Sequence, residues 1–242
     1  MDGFDIYLDS RDSLGLSIFG KYEPLEIETI KQETQEGSVF VDIGANIGYH
    51  TLHIARHVGE KGHVYAFEPD DENFALLKKN LQVNGITNVT LVKKAVSNKV
   101  GFAKLYLSDT NKADHQIYET KEMRKALEIK TTTLDDYFAD YIGSIDFIKM
   151  DIQGSEYLAF NGMQNILKKY PNVKIVMEYW PLGIKDCGGD SEKLLDDLLS
   201  LGFSFYDVNE AKKSVIPIDK AGIVEKYNLK NGVYTNLLCK RR

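Results

Sequence analysis

Residues 39–51 read Val-Phe-Val-Asp-Ile-Gly-Ala-Asn-Ile-Gly-Tyr-His-Thr, and this stretch decides the fold. Its apolar start predicts a buried strand that ends at the carboxylate of Asp42. The turn Gly44-x-Asn46-x-Gly48 follows and opens a helix, as expected of a strand–turn–helix unit. Because small residues leave the backbone uncovered, a ligand can lie directly against such a turn.

A second apolar run, residues 63–67, ends in Glu68. A carboxylate at the end of this neighbouring strand can accept hydrogen bonds from both hydroxyls of a ribose. The carboxyl ends of adjacent parallel strands lie at one edge of a sheet, so Asp42, the turn and Glu68 belong to one site. Together these features predict the binding of a ligand that contains adenosine.

The turn also indicates which adenosine ligand is favoured. A dinucleotide site would read G-x-G-x-x-G and would hold a pyrophosphate at the helix N-terminus. Here Asn46 stands at the middle position, and Asp42 immediately precedes the turn. A carboxylate repels a pyrophosphate but attracts the ammonium of an amino-acid moiety. The favoured ligand is therefore S-adenosylmethionine, with S-adenosylhomocysteine as its product.

Length, composition and charge limit the other possibilities. The chain has 242 residues, of which 43% are hydrophobic, so residues 1–242 are expected to form a single α/β domain. The formal net charge of −6 argues against DNA as a partner. Cys187 and Cys239 form no disulfide or metal pattern, and no signal peptide or membrane-spanning run is visible. We expect a cytoplasmic protein that does not bind membranes.

Apolar runs and helical patterns alternate from residue 38 onward, which predicts a doubly wound, mainly parallel sheet. Strands are predicted near residues 38–42, 63–68, 89–96, 144–151, 173–180, 203–209 and 233–239. Helices are predicted near residues 48–57, 71–84, 155–170 and 191–201. The last two strands are expected to form a hairpin-like pair with a long excursion between them.

Two segments depart from this alternation. Residues 100–130 are predicted to hold an inserted strand near 100–108 and a polar lid, with a short helix around residues 119–127. Residues 1–37 are predicted to form a small N-terminal extension with a possible hairpin and a helix over residues 24–35. This extension is expected to cover the ligand turn.

A set of motifs occurs along residues 20–181. They are Gly20-x-Tyr22-Glu23-Pro24, Val41-Asp42-Ile43-Gly44-Ala45-Asn46-Ile47-Gly48, Phe67-Glu68-Pro69 with Asn80, Ala95-Val96-Ser97, Thr133-Leu134-Asp135-Asp136, Ile148-Lys149-Met150-Asp151-Ile152-Gln153-Gly154-x-Glu156 and Glu178-Tyr179-Trp180-Pro181. This set resembles the FkbM family of S-adenosylmethionine-dependent methyltransferases. The resemblance implies a Rossmann-like class I sheet of seven strands whose last strand is antiparallel. It also implies methylation, usually on oxygen.

A hydroxyl acceptor needs a base or a metal ion to remove its proton, and such groups should lie at the carboxyl ends of the strands. The candidate catalytic residues are Asp151, Lys149, Glu156, Glu178 and His115. The candidate cofactor residues are Asp42, Gly44, Ala45, Asn46, Gly48, Tyr49, His50, Thr51, Glu68, Pro69, Val96 and Asp151. Lys149, Asp151 and Glu156 have an alternative reading as structural groups that order the turn after their strand.

No metal ligands are predicted. His50, His53 and His57 share a helix face, but the segment lacks the glutamate of a zinc-binding H-E-x-x-H motif. The sequence leaves open whether a divalent metal ion binds Asp151 together with Glu178.

The function favoured by the sequence is O-methylation of a hydroxyl on a small molecule or a glycan. Methylation of an RNA ribose or a protein, and a non-catalytic module that binds an adenosine ligand, remain alternatives. An NAD-dependent oxidoreductase is a further alternative. The sequence identifies neither the acceptor nor the oligomeric state.

Overall fold

A computed structural model describes residues 3–119 and 124–241. The strands are β1 (Val39–Ile43), β2 (His63–Phe67), β3 (Val89–Val92), β4 (Ala95–Val96), β5 (Gly101–Leu107), β6 (Lys125–Thr132), β7 (Phe147–Met150), β8 (Lys174–Tyr179), β9 (Phe203–Asn209), β10 (Ser214–Ile218) and β11 (Thr235–Arg241). The helices are α1 (Leu16–Phe19), α2 (Pro24–Glu33), α3 (Tyr49–Val58), α4 (Asp71–Val83), α5 (Leu134–Tyr137), α6 (Glu156–Asn161), α7 (Gln164–Lys169), α8 (Pro181–Asp186), α9 (Ser191–Ser200) and α10 (Lys220–Lys226).

Within the described residues, the main sheet has eight strands in the order β10-β9-β11-β8-β7-β1-β2-β3. In this order, β8 pairs in parallel with β7, β7 with β1, β1 with β2, and β2 with β3. The last strand, β11, is antiparallel to both β8 and β9. These pairings confirm the predicted doubly wound, mainly parallel sheet with an antiparallel last strand.

The main sheet has one strand more than the seven that the family resemblance implied. The additional strand, β10, lies in the predicted excursion between the last two long strands and pairs with β9 as an antiparallel hairpin. It contains Pro217 and lies at the edge of the sheet. Because proline cannot donate a ladder hydrogen bond, an edge is where a strand tolerates it.

The central strands explain why this order forms. β7 is buried at every position, and β1 is buried from Phe40 to its end. Strands that are covered on both faces must be apolar almost throughout, as these are. The exceptions are Asp42 in β1 and Lys149 in β7, which are paired in register on adjacent strands. The parallel core therefore brings two opposite charges together at its centre.

The inserted segment forms a second sheet. Among the described residues, this sheet has three strands in the order β4-β6-β5, and β5 confirms the strand that was predicted near residues 100–108. The prediction of a helix around residues 119–127 is wrong for residues 125–127, because Lys125–Thr132 forms β6 and pairs antiparallel with β5. Alternating burial of Leu127, Ile129 and Thr131 explains this strand. Residues 120–123 of the predicted helix lie outside the described part of the chain.

Two other predicted elements are interrupted. The strand predicted over residues 89–96 divides into β3 and β4. The helix predicted over residues 155–170 divides into α6 and α7 around Gly162. A Cβ at Gly162 would lie 2.1 Å from the Ser97 carbonyl oxygen, so the helix passes too close to β4 to carry a side chain there.

The N-terminal extension contains α1 and α2, and α2 confirms the helix predicted over residues 24–35. The possible hairpin is wrong for residues 3–37, which contain turns, α1 and α2 and no strand. Leu16 and Ile27 of the extension pack against Ile47 and Tyr49, at the end of the glycine turn and the start of α3. In residues 3–119 and 124–241, none of the helices has the length and apolar character needed to cross a bilayer.

We expect Gly162→Ala to lower the free energy of unfolding by about 1–3 kcal/mol, because the added methyl group would overlap the backbone of Ser97. Gly222→Ala in α10 is the matched control, since its Cβ would come no closer than 3.1 Å to its neighbours. Because alanine favours a helix over glycine, the control should not lower the free energy of unfolding by more than about 0.5 kcal/mol. Urea unfolding measures both variants, and equal losses would contradict the close approach.

Candidate functional site

The glycine turn after β1 contains three residues with left-handed backbone conformation. Gly44, Asn46 and Gly48 have φ angles of 85°, 51° and 91°. A Cβ on Gly44 would lie 2.0 Å from the Asp151 carbonyl oxygen, and one on Gly48 would lie 2.5 Å from a Leu77 methyl group. Both positions require glycine because other segments of the chain pack directly against them. This reason comes in addition to the ligand contact that the sequence pattern predicts.

Glu68 ties the turn to the start of α4. Its carboxylate accepts hydrogen bonds from the backbone N–H of Asn46, at 2.8 Å, and of Asp70, at 2.9 Å. The side chain is buried, and burial raises its pKa to about 8 although both amides favour the charged form. Each carboxylate oxygen retains a further lone pair, so Glu68 can still accept hydroxyl donors.

A cleft opens beside Glu68. One wall comes from the turn and the end of β2, and the opposite wall comes from the second sheet and the segment that follows β5. Its lining residues are Ile43, Gly44, Asn46, Phe67, Glu68, Pro69, Asn73, Lys94, Ala95, Val96, Leu105, Lys112, Ala113, His115, Ile117, Asp151, Ile152, Gln153 and Ser155.

The structure divides the predicted cofactor residues into two groups. Those that line the cleft are Gly44, Asn46, Glu68, Pro69, Val96 and Asp151. Those outside its lining are Asp42, Ala45, Gly48, Tyr49, His50 and Thr51. Asp42 is fully buried and accepts a hydrogen bond of 2.6 Å from the Thr51 hydroxyl. This bond connects β1 to α3 and fixes the turn between them.

Lys149 and Asp151 lie at the end of β7. The Lys149 Nζ is 3.5 Å from Asp151 Oδ2, and the lysine side chain is buried while that of Asp151 is 25% exposed. Burial opposes the charge of Lys149, but the nearby carboxylates of Asp151 and Glu26 outweigh it and hold its pKa above the ordinary value. Gln153 donates a hydrogen bond of 3.0 Å to the other oxygen of Asp151. Lys149 and Gln153 therefore fix the position of the Asp151 side chain at the cleft.

Glu156 is buried at the start of α6 and is not part of the cleft lining. It accepts a hydrogen bond of 2.9 Å from the Ile152 N–H, and burial raises its pKa to about 8. This contact orders the turn between β7 and α6.

Glu178 is buried at the end of β8, where burial and the charge of Asp151 raise its pKa well above the ordinary range. Its Oε2 is buried and has no hydrogen-bond partner in residues 3–119 and 124–241. Two tyrosines near this carboxyl group, Tyr22 and Tyr234, also have raised pKa values. Burial is the largest cause of both shifts, and the charges of Glu178 and Asp151 add to it. Sequence reasoning did not assign a role to either tyrosine, although Tyr22 belongs to a motif quoted above.

His115 lies on the wall of the cleft that follows β5. Its Nδ1 accepts a hydrogen bond of 3.0 Å from the Ser108 N–H, so the neutral ring carries its proton on Nε2. Burial lowers its pKa below the ordinary value, and Asp70 and Lys112 are the charges that act on it most. Asp70 follows β2 at the Glu68 end of the cleft.

His50 lies outside the cleft lining and approaches two glutamates that sequence reasoning did not select. Its Nε2 is 3.3 Å from Glu26 Oε1 and 3.8 Å from Glu23 Oε2. Glu23 belongs to the motif quoted above, but no local pattern places Glu26 near His50. Only the packing of α2 against α3 brings them together.

Comparison with solved structures supports the fold. A precorrin-6y C5,15-methyltransferase from Geobacter metallireducens superposes with a TM-score of 0.52 and 13% identity over 100% of this chain and 95% of that one. A candidate methyltransferase from Streptococcus mutans, in complex with SAH, gives a TM-score of 0.52 and 11% identity over 90% of this chain and 96% of that one. A candidate rRNA methylase from Clostridium thermocellum gives 0.51 and 15% identity over 98% and 97% of the two chains.

Comparison of sequences identifies the family. A curated protein from Sulfurisphaera tokodaii, named "Probable cobalt-precorrin-6B C(15)-methyltransferase (decarboxylating)", is 38% identical over 58 residues. The match spans 24% of this chain and 30% of that protein. The family model named Methyltransferase FkbM domain matches residues 42–205, which is well over half of the chain. The chain therefore belongs to the FkbM methyltransferase domain family.

Proposed function

We propose that this protein transfers the methyl group of S-adenosylmethionine to a hydroxyl oxygen of a small molecule or a glycan. The observation that carries the proposal is the cleft that both Glu68 and Asp151 line. Glu68 offers free lone pairs to the two ribose hydroxyls. Phe67, Val96 and Leu105 supply apolar surface for the adenine ring.

The negative charge around the end of β7 suits the cationic part of this cofactor. Asp151 lines the cleft, and Asp42 lies behind the turn with one buried oxygen that has no hydrogen-bond partner among the described residues. Both carboxylates attract an ammonium and a sulfonium group. We assign Asp42 and the residues packed behind the turn to fixing its shape, and the residues of the cleft lining to direct contact.

A second, open cleft supports the assignment of an acceptor site. It is lined in part by Phe19, Tyr22, Tyr234 and Asn236. Tyr22 and Tyr234 lie close enough to Asp151 for its charge to raise their pKa values, so this cleft approaches the end of the cofactor cleft. Aromatic rings beside carboxylates are well suited to a hydroxylated acceptor such as a sugar.

In this proposal the chain supplies orientation and a proton acceptor. When bound, S-adenosylmethionine supplies a methyl carbon that its sulfonium has already activated. Asp151 accepts the proton of the acceptor hydroxyl as the oxygen–carbon bond forms and the carbon–sulfur bond breaks, with its electron pair passing to sulfur. Lys149, whose Nζ lies 3.5 Å from Asp151 Oδ2, holds this carboxyl group in position. Glu178 adds a second carboxylate on the adjacent strand.

The experiment that tests this function measures release of S-adenosylhomocysteine from S-adenosylmethionine with a panel of sugars and other hydroxylated small molecules, with and without EDTA. Acceptor-dependent release that yields a methyl ether, identified by mass spectrometry, is the expected result. Methylation on carbon or nitrogen, or no release with any hydroxylated acceptor, would contradict O-methylation. The EDTA arm shows whether turnover requires a metal ion.

We expect the affinity for S-adenosylhomocysteine to rise with pH up to about 8 and then to level off. Ribose hydroxyls donate to Glu68, so binding favours the ionised form of a group whose pKa in the free protein is about 8. Below that pH, binding requires loss of a proton, and affinity falls by up to about tenfold per pH unit. Calorimetry at pH 6–9 measures the affinity for S-adenosylhomocysteine. Glu68→Gln should bind more weakly with a flat profile, whereas exposed Glu60→Gln should keep the wild-type profile.

We expect Asp151→Asn to lower kcat by roughly 100- to 10,000-fold, because the amide cannot accept the acceptor proton. Binding of S-adenosylhomocysteine should weaken but remain measurable by calorimetry, so kcat is compared at saturating cofactor. Asp140→Asn, at an exposed position before β7, is the matched control and should keep wild-type turnover. An Asp151→Asn variant with turnover within threefold of wild type would remove this residue as the base.

We assign His115 to the cofactor side of the cleft, since the charges of Asp70 and Lys112 dominate its surroundings and its Nδ1 already accepts a hydrogen bond. His115→Ala should weaken S-adenosylhomocysteine binding and leave kcat at saturating cofactor within about threefold of wild type. A large loss of kcat with unchanged cofactor affinity would instead make His115 the general base.

A further inference from the structure

Three potential metal ligands converge outside the cofactor cleft. Glu23 precedes α2, Glu26 lies in its first turn, and His50 lies in the first turn of α3. One carboxylate oxygen of each glutamate and one ring nitrogen of His50 all lie within 4.8 Å of one another. The side chains of Glu26 and His50 are only 3% and 8% exposed. The cluster is therefore buried between the N-terminal extension and the helix that follows the glycine turn.

The converging atoms are those that lack hydrogen bonds. Glu23 Oε2, Glu26 Oε1 and His50 Nε2 are all buried without a hydrogen-bond partner in the described part of the chain. The other oxygen of Glu23 is used, because it accepts a hydrogen bond of 3.1 Å from the Asn236 amide. Buried polar atoms are normally satisfied, so three orphaned atoms that face one another indicate a missing partner.

The charge balance indicates that this partner is a cation. The carboxylates of Glu23, Glu26 and Asp42 all stabilise the positive charge of Lys149. The Lys149 ammonium group forms its ion pair with Asp151. A single ammonium group thus serves several buried carboxylates.

Protonation of His50 would be the simplest source of positive charge, but its geometry is poor. The distances of 3.3 Å and 3.8 Å from Nε2 to the two glutamates exceed those of a charge-assisted hydrogen bond, and one N–H cannot point at both oxygens. The distance of 3.3 Å agrees with the spacing of about 3.3–3.5 Å between ligand atoms in a tetrahedral shell of radius about 2.0–2.1 Å, and the Glu23 oxygen, at 3.8 Å, would move a few tenths of an ångström closer on metal binding. Two carboxylates and one imidazole suit a divalent transition metal better than Mg²⁺, which prefers oxygen ligands.

We propose that Glu23, Glu26 and His50 form a binding site for one divalent transition-metal ion, with Zn²⁺ as the probe ion. The ion satisfies the three orphaned atoms and offsets the excess of buried negative charge. It also joins the start of α2 to the start of α3, which holds the N-terminal extension against the glycine turn. The site is distinct from the pairing of Asp151 with Glu178 that the sequence left open as a metal position.

The test is calorimetric titration of the EDTA-stripped full chain with Zn²⁺, with metal content measured by mass spectrometry. We expect one tight equivalent per chain. Glu26→Gln and His50→Gln should each weaken this binding by at least about tenfold. Matched controls are Glu28→Gln on the exposed face of α2 and His57→Gln at the end of α3, which should retain it.

Titration of the wild-type chain with Co²⁺ keeps the test valid if a variant fails to fold. Coordination should produce visible absorption bands that stoichiometric Zn²⁺ abolishes. No stoichiometric binding, or equal loss in the cluster variants and the controls, would overturn the proposal and favour a protonated His50. S-adenosylhomocysteine binding to the stripped protein is measured in parallel, so failure of the metal site is distinguishable from failure of the proposed methyl transfer.

Discussion

The site depends on the close contact between the glycine turn and the end of β7. The Asp151 N–H donates to the Ile43 carbonyl at 3.1 Å, and the Asp151 carbonyl occupies the space that a side chain at Gly44 would need. Adjacent pairing of β1 and β7 sets Asp42 beside Lys149 in the same register. One local packing constraint thus fixes the shape of the turn, the position of Asp151 and the charge that surrounds it.

Burial of acidic groups is the second constraint on this region. Glu68, Glu156 and Glu178 are all buried, and desolvation raises the pKa of each. Glu68 and Glu156 are stabilised by backbone N–H donors, which order the two turns that frame the cleft. Glu156 and Glu178 each have one buried oxygen without a hydrogen bond among the described residues. Buried carboxyl groups therefore order the turns of this region and also leave polar atoms without partners.

The sequence predicted the main sheet because its central strands are apolar runs, and it predicted Glu68 and Asp151 because both lie where such strands end. It did not predict β10, an edge strand with a proline, or β6, whose alternation follows a polar segment. The break at Gly162 depends on the distance to Ser97, which no local pattern contains. The meeting of Glu26 with His50 likewise depends on how two helices pack.

The second sheet has a consequence for how such a protein changes over evolutionary time. Its first strand, β4, follows β3 of the main sheet closely in sequence, and its apolar side chains Ala95, Leu105 and Ile129 form a cluster of their own. Substitutions in β5 and β6 therefore leave the packing of the eight-stranded core largely undisturbed. This architecture separates the packing of the framework from that of the cleft wall, so side chains of the wall can be exchanged without a loss of foldability.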